Sequence, residues 1–132
     1  MEGGQTNEFR PLILVAEDDD SNFKLIKAII GKKCDIQWAK NGEEIVALFK
    51  EYGNEAKAIL MDIKMPVMNG LDATKIIREE NKEIPIIMQT AYAFSSDKEN
   101  AMNAGASEVL VKPITLSILR NTLTKYFPEL IW

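Results

Sequence analysis

Leu12-Ile13-Leu14-Val15-Ala16-Glu17-Asp18 is an apolar run that breaks off at two carboxylates. Four further runs have the same form. Ala58-Ile59-Leu60-Met61 stops at Asp62, Ile86-Ile87-Met88-Gln89 at Thr90 and Val109-Leu110-Val111 at Lys112, while Ile36-Gln37-Trp38-Ala39 opens into Asn41-Gly42. Short, nearly continuous runs of Ile, Leu and Val read as strands covered on both faces, as parallel sheets require. If these strands are parallel neighbours, an acidic cluster, a hydroxyl and an ammonium converge on one rim. Open α/β sheets keep their ligands at that rim, outside the carboxyl ends of the strands.

Helical periodicity fills the gaps between the runs. Phe23, Ile26, Ile29 and Ile30 recur at helical spacing, and Ile45, Leu48, Phe49 and Tyr52 follow i, i+3, i+4, i+7. Leu71, Ala73, Ile76 and Ile77 mark a third helix, and Leu116, Leu119 and Leu123 a last one. The polar stretch from Ser95 to Ala104 reads as a fourth helix, anchored by Ala101 and Met102, capped by Ser95 or Ser96 and ended by Gly105. Right-handed crossovers then place helices on both faces of the sheet. The expectation is a doubly wound (βα)5 sandwich of the flavodoxin-like kind, with a five-stranded parallel sheet. The commonest small version has strand order 2-1-3-4-5, although the sequence alone leaves the order open.

At 132 residues, 46% hydrophobic and 27% charged, the chain reads as a single globular domain. Residues 1–9 read as a disordered lead-in or an expression remnant, and 10–132 as the domain. A net charge of −4 argues against nucleic acid as a partner. No apolar run approaches the length that spans a bilayer, and the polar start lacks the order of a signal peptide, so a cytoplasmic location is expected. The chain has no histidine and a single cysteine. Those absences remove Ser-His-Asp and Cys-His catalysis, imidazole metal sites, an internal disulfide and a zinc cluster. Cys34 reads as buried and inert. Any metal must be held by oxygen, which favours magnesium, calcium or manganese.

Glu17-Asp18-Asp19-Asp20 has two readings. Asp19 and Asp20 suit a helix start, where aspartate caps and the helix dipole favours negative charge. Glu17 and Asp18 sit instead at a strand end. Two carboxylates about 4 Å apart repel by about 4 kcal/mol at an effective dielectric of about 20. Asp62 adds to that repulsion, and a divalent cation removes it. An EF-hand loop fits poorly, because Phe23 stands where glycine is required and Ile29 where the bidentate glutamate belongs. The Asp18-x-Asp20 pattern of haloacid dehalogenase-type phosphatases also fits poorly, with Asn22 in place of Thr or Val and no later acidic pair.

Four stretches, taken in order, resemble the receiver domain of two-component response regulators. They are Ile13-Leu14-Val15-Ala16-Glu17-Asp18, Met61-Asp62-Ile63-Lys64-Met65-Pro66-Val67-Met68-Asn69-Gly70, Gln89-Thr90-Ala91 and Val109-Leu110-Val111-Lys112-Pro113-Ile114. The likeness runs from about Arg10 to about Tyr126 and is greatest to receivers of hybrid sensor histidine kinases. The resemblance implies a phosphorelay module in which Asp62 takes a phosphoryl group from the phosphohistidine of a histidine kinase or histidine phosphotransfer domain. It implies Mg²⁺ held by Asp18, by Glu17 directly or through water, by Asp62 and by the backbone carbonyl of Lys64. Thr90 would bond one phosphoryl oxygen and Lys112 another. The Lys112–Pro113 peptide would be cis, Gly70 would start the third helix tightly, and Gly105 would end the fourth at positive φ. A homodimer is left open.

Each residue also has a plainer reading. Asp62 could be a turn-initiating aspartate, Lys112 a surface lysine and Thr90 a strand residue. Their shared placement at strand ends favours the site. Met61, Met65, Met68 and Met88 read as packing and loop anchors, and Trp132 as packing on the last helix or on a neighbouring chain. Glu17 departs from the Asp more usual in the acidic pair. Val109 stands where many receivers carry an aromatic switch residue, while Tyr92 and Lys64 hold positions that tune phosphoryl lifetime in the family. Two rival functions remain, a receiver-like scaffold that binds partners without phosphorylation and a flavin-binding protein. The second is disfavoured because Glu17-Asp18-Asp19-Asp20 would repel a phosphate.

Overall fold

Ten elements alternate along the chain in a computed structural model that describes residues 9–91 and 96–132. They are β1 (Leu12–Ala16), α1 (Asp20–Ile30), β2 (Asp35–Ala39), α2 (Gly42–Tyr52), β3 (Ala56–Asp62), α3 (Gly70–Glu80), β4 (Ile86–Thr90), α4 (Ser96–Ala104), β5 (Glu108–Val111) and α5 (Leu116–Tyr126). All strand pairs are parallel, in the order β2-β1-β3-β4-β5. This is the expected doubly wound sandwich.

The two-residue period of a strand decides which side chain joins which core. Leu14 and Ala16 of β1 face a layer containing Ile45 and Phe49 of α2, Ala73 and Ile77 of α3, and Ala101 of α4. Ile13 and Val15 face the opposite layer, with Ile26, Ile29 and Ile30 of α1 and Leu119 and Leu123 of α5. Each fully buried Leu or Ile contributes about 1.5–3 kcal/mol, so slipping β1 by one residue would exchange its contacts with both layers. In register, Ala16 lies beside Ala39 and Met61, Asp62 beside Gln89, and Thr90 beside Val111. The strand ends therefore meet on one rim.

The helices leave that rim through caps that the sequence supplies. Asp19, Asn41, Asn69 and Thr115 accept from the backbone N–H groups of Asn22, Glu44, Asp72 and Ile118. At α2, Glu44 also reaches back to the backbone N–H of Lys40 at 2.9 Å. Gly105, at φ 116°, ends α4: its N–H donates to Met102 and that of Ala106 to Ala101.

One expected helix anchor is corrected. Met102 is 47% exposed, and Ala104 is buried with Ala101 instead, because residues three apart share a helix face and Met102 is rotated off it. Leu116 is also exposed, and the buried face of α5 is Leu119, Thr122 and Leu123. Thr122 enters that apolar face because its hydroxyl donates to the Ile118 carbonyl at 2.8 Å. Ser96 is the first residue of α4, while Ser95 and residues 1–8 lie outside the described residues.

Trp132 packs on α5: its indole N–H donates to Thr124 Oγ1 at 3.0 Å and Arg120 lies 5.1 Å over its ring. Phe9 lies against Phe127 with ring centroids 6.1 Å apart. Cys34 is buried, and burial pushes its thiol up to about 11. Among the described residues, no helix is long and apolar enough to cross a membrane.

Candidate functional site

Three carboxylates and one ammonium converge where β1, β3 and β5 end. Glu17 directly follows β1 and is fully buried, its N–H donating to the Ala39 carbonyl at 2.9 Å. Asp62, the last residue of β3, is 6% exposed, whereas Asp18 is open to solvent. Glu17, Asp18 and Asp62 each present an oxygen within 4.8 Å of the others. Lys112, just past β5, reaches across the rim to Asp62 Oδ2 at 2.8 Å and Glu17 Oε1 at 3.7 Å. Its backbone N–H is fixed by the Thr90 carbonyl at 2.7 Å, and the Lys112–Pro113 peptide is cis.

Gly70 permits the close approach behind Asp62. A Cβ at Gly70 would collide with the Asp62 carbonyl oxygen and crowd Met88. Its N–H donates to the Ile63 carbonyl at 2.8 Å, so α3 begins directly against the strand that carries Asp62.

The electrostatics follow from the crowding. Burial, and then the Asp62 charge, push the Glu17 carboxyl up to about 7, against the lowering effects of the Asp19 N–H and of Lys112. Glu17 Oε2 accepts the Asp19 N–H at 3.2 Å, but among the described residues the buried Oε1 has no hydrogen-bond partner. Burial alone would lower the Lys112 pKa. The hydrogen bond to Asp62, and the charges of Asp62, Glu17 and Asp18, outweigh it and raise that pKa. An orphaned carboxylate oxygen beside two further carboxylates fits a hard divalent cation, whose charge and oxygen preference answer both deficits.

Thr90 and Lys64 line a cavity of about 90 Å³ with Asp62, Ile63, Ala91 and Lys112. The Thr90 hydroxyl donates to Asp97 Oδ2 at 3.1 Å. Val109, half-buried in β5, packs against the layer formed by α2, α3 and α4. Tyr92 lies outside the described residues. Two neighbours of the site were not anticipated. Asp97 in the first turn of α4 meets Thr90, and the Trp38 indole N–H donates to the Glu17 carbonyl at 2.8 Å.

The response regulator receiver domain family matches residues 13–124. Hybrid signal transduction histidine kinase I of Dictyostelium discoideum is 39% identical over 129 residues, covering 89% of this chain and 7% of that protein. The receiver domain of sensor histidine kinase PA1611 from Pseudomonas aeruginosa, solved with magnesium coordinated in its active site cleft, superposes with a TM-score of 0.83. It is 30% identical and covers 91% of this chain and 99% of its own. The receiver domain of Saccharomyces cerevisiae Ssk1, solved with the histidine phosphotransfer protein Ypd1, gives a TM-score of 0.83 at 29% identity, covering 92% and 93% of the two chains. The chain belongs to the response regulator receiver domain family of two-component signalling. It spans only 4–13% of the length of the sensor and histidine kinases it matches.

Proposed function

We propose that this chain is the phosphoacceptor of a phosphorelay, with Asp62 as the nucleophile. One observation carries the reading: Asp62 ends its strand between two further carboxylates and an ammonium at 2.8 Å, with the Thr90 side wall of a small cavity beside it. An Asp62 oxygen attacks the phosphorus of a phosphohistidine. The P–N bond breaks, the imidazole leaves with the electron pair and takes a proton from water, and an acyl phosphate remains on Asp62. Water attacking the same phosphorus later restores the carboxylate. Phosphoryl transfer needs positioning and charge neutralisation more than covalent help, which is what these side chains supply.

Glu17, Asp18, Asp62 and the Lys64 carbonyl would hold Mg²⁺, which supplies neutralisation of the phosphoryl oxygens when bound. Lys112 pairs with one phosphoryl oxygen and Thr90 with another. Phosphorylation adds about one to two negative charges, and that excess biases the Thr90 region toward a second state. Val109 leaves this transition without an aromatic partner in β5.

The donor is the phosphohistidine of a histidine kinase or phosphotransfer domain. A groove of about 290 Å³ beside the site, lined by Asn22, Leu25, Ile26, Lys112, Pro113 and Ile114, supports that choice. Its apolar wall, including the exposed Leu25, suits a partner helix that carries histidine to the rim. Such donors draw on ATP, which places the module on the cytoplasmic side, as part of a hybrid kinase or as a separate receiver.

The test is intact-mass measurement after incubation with Mg²⁺ and a small-molecule phosphodonor such as acetyl phosphate. One base-labile phosphoryl adduct is expected, absent from Asp62→Asn. A protein that takes up no phosphoryl group from small donors or from a phosphorylated phosphotransfer domain would instead be a phosphorylation-independent scaffold.

A further inference from the structure

Both backbone groups of Glu17 are held by β2. The N–H donates to the Ala39 carbonyl at 2.9 Å, an ordinary continuation of the strand ladder. The carbonyl is different, because its partner is a side chain, the Trp38 indole N–H at 2.8 Å. Past the end of the ladder, nothing in the sheet obliges that carbonyl to point toward β2. The indole gives it a fixed acceptor geometry.

The indole is itself held by two neighbours. Phe23 of α1 stacks on it with a centroid separation of 3.9 Å and an interplanar angle of 1°. The Lys40 ammonium lies 4.8 Å from the ring and pairs with Asp20 at 3.5 Å. Trp38 is thereby in contact with both α1 and the residue that follows β2. The chain from Glu17 to Asp20 is pinned at its start by the indole and at its end by the Lys40 pair.

We infer that Trp38 is a positioning residue for the divalent-cation site: its indole N–H holds the Glu17 carbonyl, so that Glu17 and Asp18 stay converged on Asp62 before any cation binds. The inference rests on the phosphoacceptor reading above. Mutual repulsion among the carboxylates favours splaying the Glu17–Asp18 segment, and the hydrogen bond opposes that motion. Its loss therefore weakens cation affinity without removing a ligand. At saturating cation the carboxylates are drawn together again, so the maximal rate of phosphorylation is retained.

The experiment is Mg²⁺ titration of the whole chain by calorimetry, paired with phosphorylation rates from a small donor across Mg²⁺ concentrations. Trp38→Phe keeps an aromatic ring at this position but removes the N–H together with part of the indole's ring area, and a second variant isolates the packing. The expected result is about fivefold weaker Mg²⁺ binding, equivalent to about 1 kcal/mol and typical of one hydrogen bond, with an unchanged rate at saturation. Phe23→Leu removes the stack but leaves the N–H, and is expected to stay within twofold of the wild type. In Trp132→Phe the remaining indole is expected to change its emission on Mg²⁺ addition, and in Trp38→Phe that change disappears.

Equal Mg²⁺ affinity in Trp38→Phe and wild type would overturn the inference and leave the phosphoacceptor reading standing. So would a Phe23→Leu loss as large as that of Trp38→Phe, which would assign the effect to packing. Failure of the wild type to bind Mg²⁺ at all would overturn the metal assignment and this inference together.

Discussion

Thr90 Oγ1 donates to Asp97 Oδ2 at 3.1 Å, joining the end of β4 to the first turn of α4. The hydroxyl assigned to a phosphoryl oxygen is thus committed elsewhere before phosphorylation. A phosphoryl group on Asp62 offers Thr90 a charged acceptor and, at the same time, repels the Asp97 carboxylate. Turning Thr90 inward therefore costs one bond and is opposed for as long as Asp97 holds it. Asp97→Ala is expected to bind beryllofluoride, a phosphoryl mimic, about five- to tenfold more tightly, the equivalent of one ordinary hydrogen bond. Unchanged affinity in a beryllofluoride titration would show that the Thr90–Asp97 bond survives the transition.

Lys112 neutralises the metal-free site and competes with a cation for the same oxygens. Its ammonium lies 2.8 Å from Asp62 and 3.7 Å from Glu17. Lys112→Met is therefore expected to separate two properties that a simple loss of fold would move together. Mg²⁺ affinity rises about threefold or more, because the competing charge is gone. Phosphorylation slows by at least about tenfold, because one charge-assisted hydrogen bond to the transferring group is lost. Calorimetry and intact-mass kinetics read the two effects separately, and weaker Mg²⁺ binding in this variant would refute the competition.

The buried Glu17 carboxyl gives the metal-free protein a definite pH dependence. Its folded pKa is raised from 4.5 to about 7, chiefly by burial and then by Asp62. Between those values the folded state binds more protons than the unfolded state, so stability falls as pH rises. The contribution is fully present below the unfolded pKa and is lost as pH passes through about 7. Glu17→Gln removes this dependence. Its stability relative to wild type is expected to grow between about pH 5 and about pH 8, by a few kcal/mol at most. Chemical denaturation in a chelator measures the difference. In the wild type Mg²⁺ competes with the proton, so its affinity is expected to rise over the same interval. A pH-independent difference between the two proteins would mean that Glu17 is ionised throughout.

The strand ends were legible in the sequence because a buried parallel strand is an uninterrupted apolar run, and its break at a polar residue locates the rim. Glu17, Asp18, Asp62, Thr90 and Lys112 all lie at such breaks, and the structure gathers them there. Partners that depend on side-chain direction were not legible. Asp97 reads as an ordinary acidic residue in a helix first turn, where the dipole alone would account for it. Trp38 reads as one aromatic in an edge strand, and nothing in its spacing reveals that its N–H points at Glu17. Met102 is one of few apolar residues in a polar helix, yet the buried face of α4 is set by Ala101 and Ala104.

Val67 was equally unmarked, yet it carries backbone strain beside the site. Its φ is 68°, a region that a β-branched residue rarely enters. The Met68 N–H donates to the Pro66 carbonyl at 2.7 Å, closing a tight three-residue turn around Val67. The side chain is 75% exposed, so packing does little to offset the conformation. Such a residue costs about 1–3 kcal/mol, whereas glycine enters the region freely at an entropic cost of about 0.5–1 kcal/mol. Val67→Gly is therefore expected to stabilise the protein by about 1 kcal/mol in urea denaturation. The turn also presents the Met68 carbonyl to the Gly42 N–H at 2.9 Å, a contact that glycine at 67 preserves. Mg²⁺ affinity and the phosphorylation rate are accordingly expected to match wild type. Val67→Pro, whose ring fixes φ near about −65°, should break the turn and destabilise the chain. If Val67→Gly proved less stable than wild type, the turn would be held by side-chain contacts rather than against backbone strain.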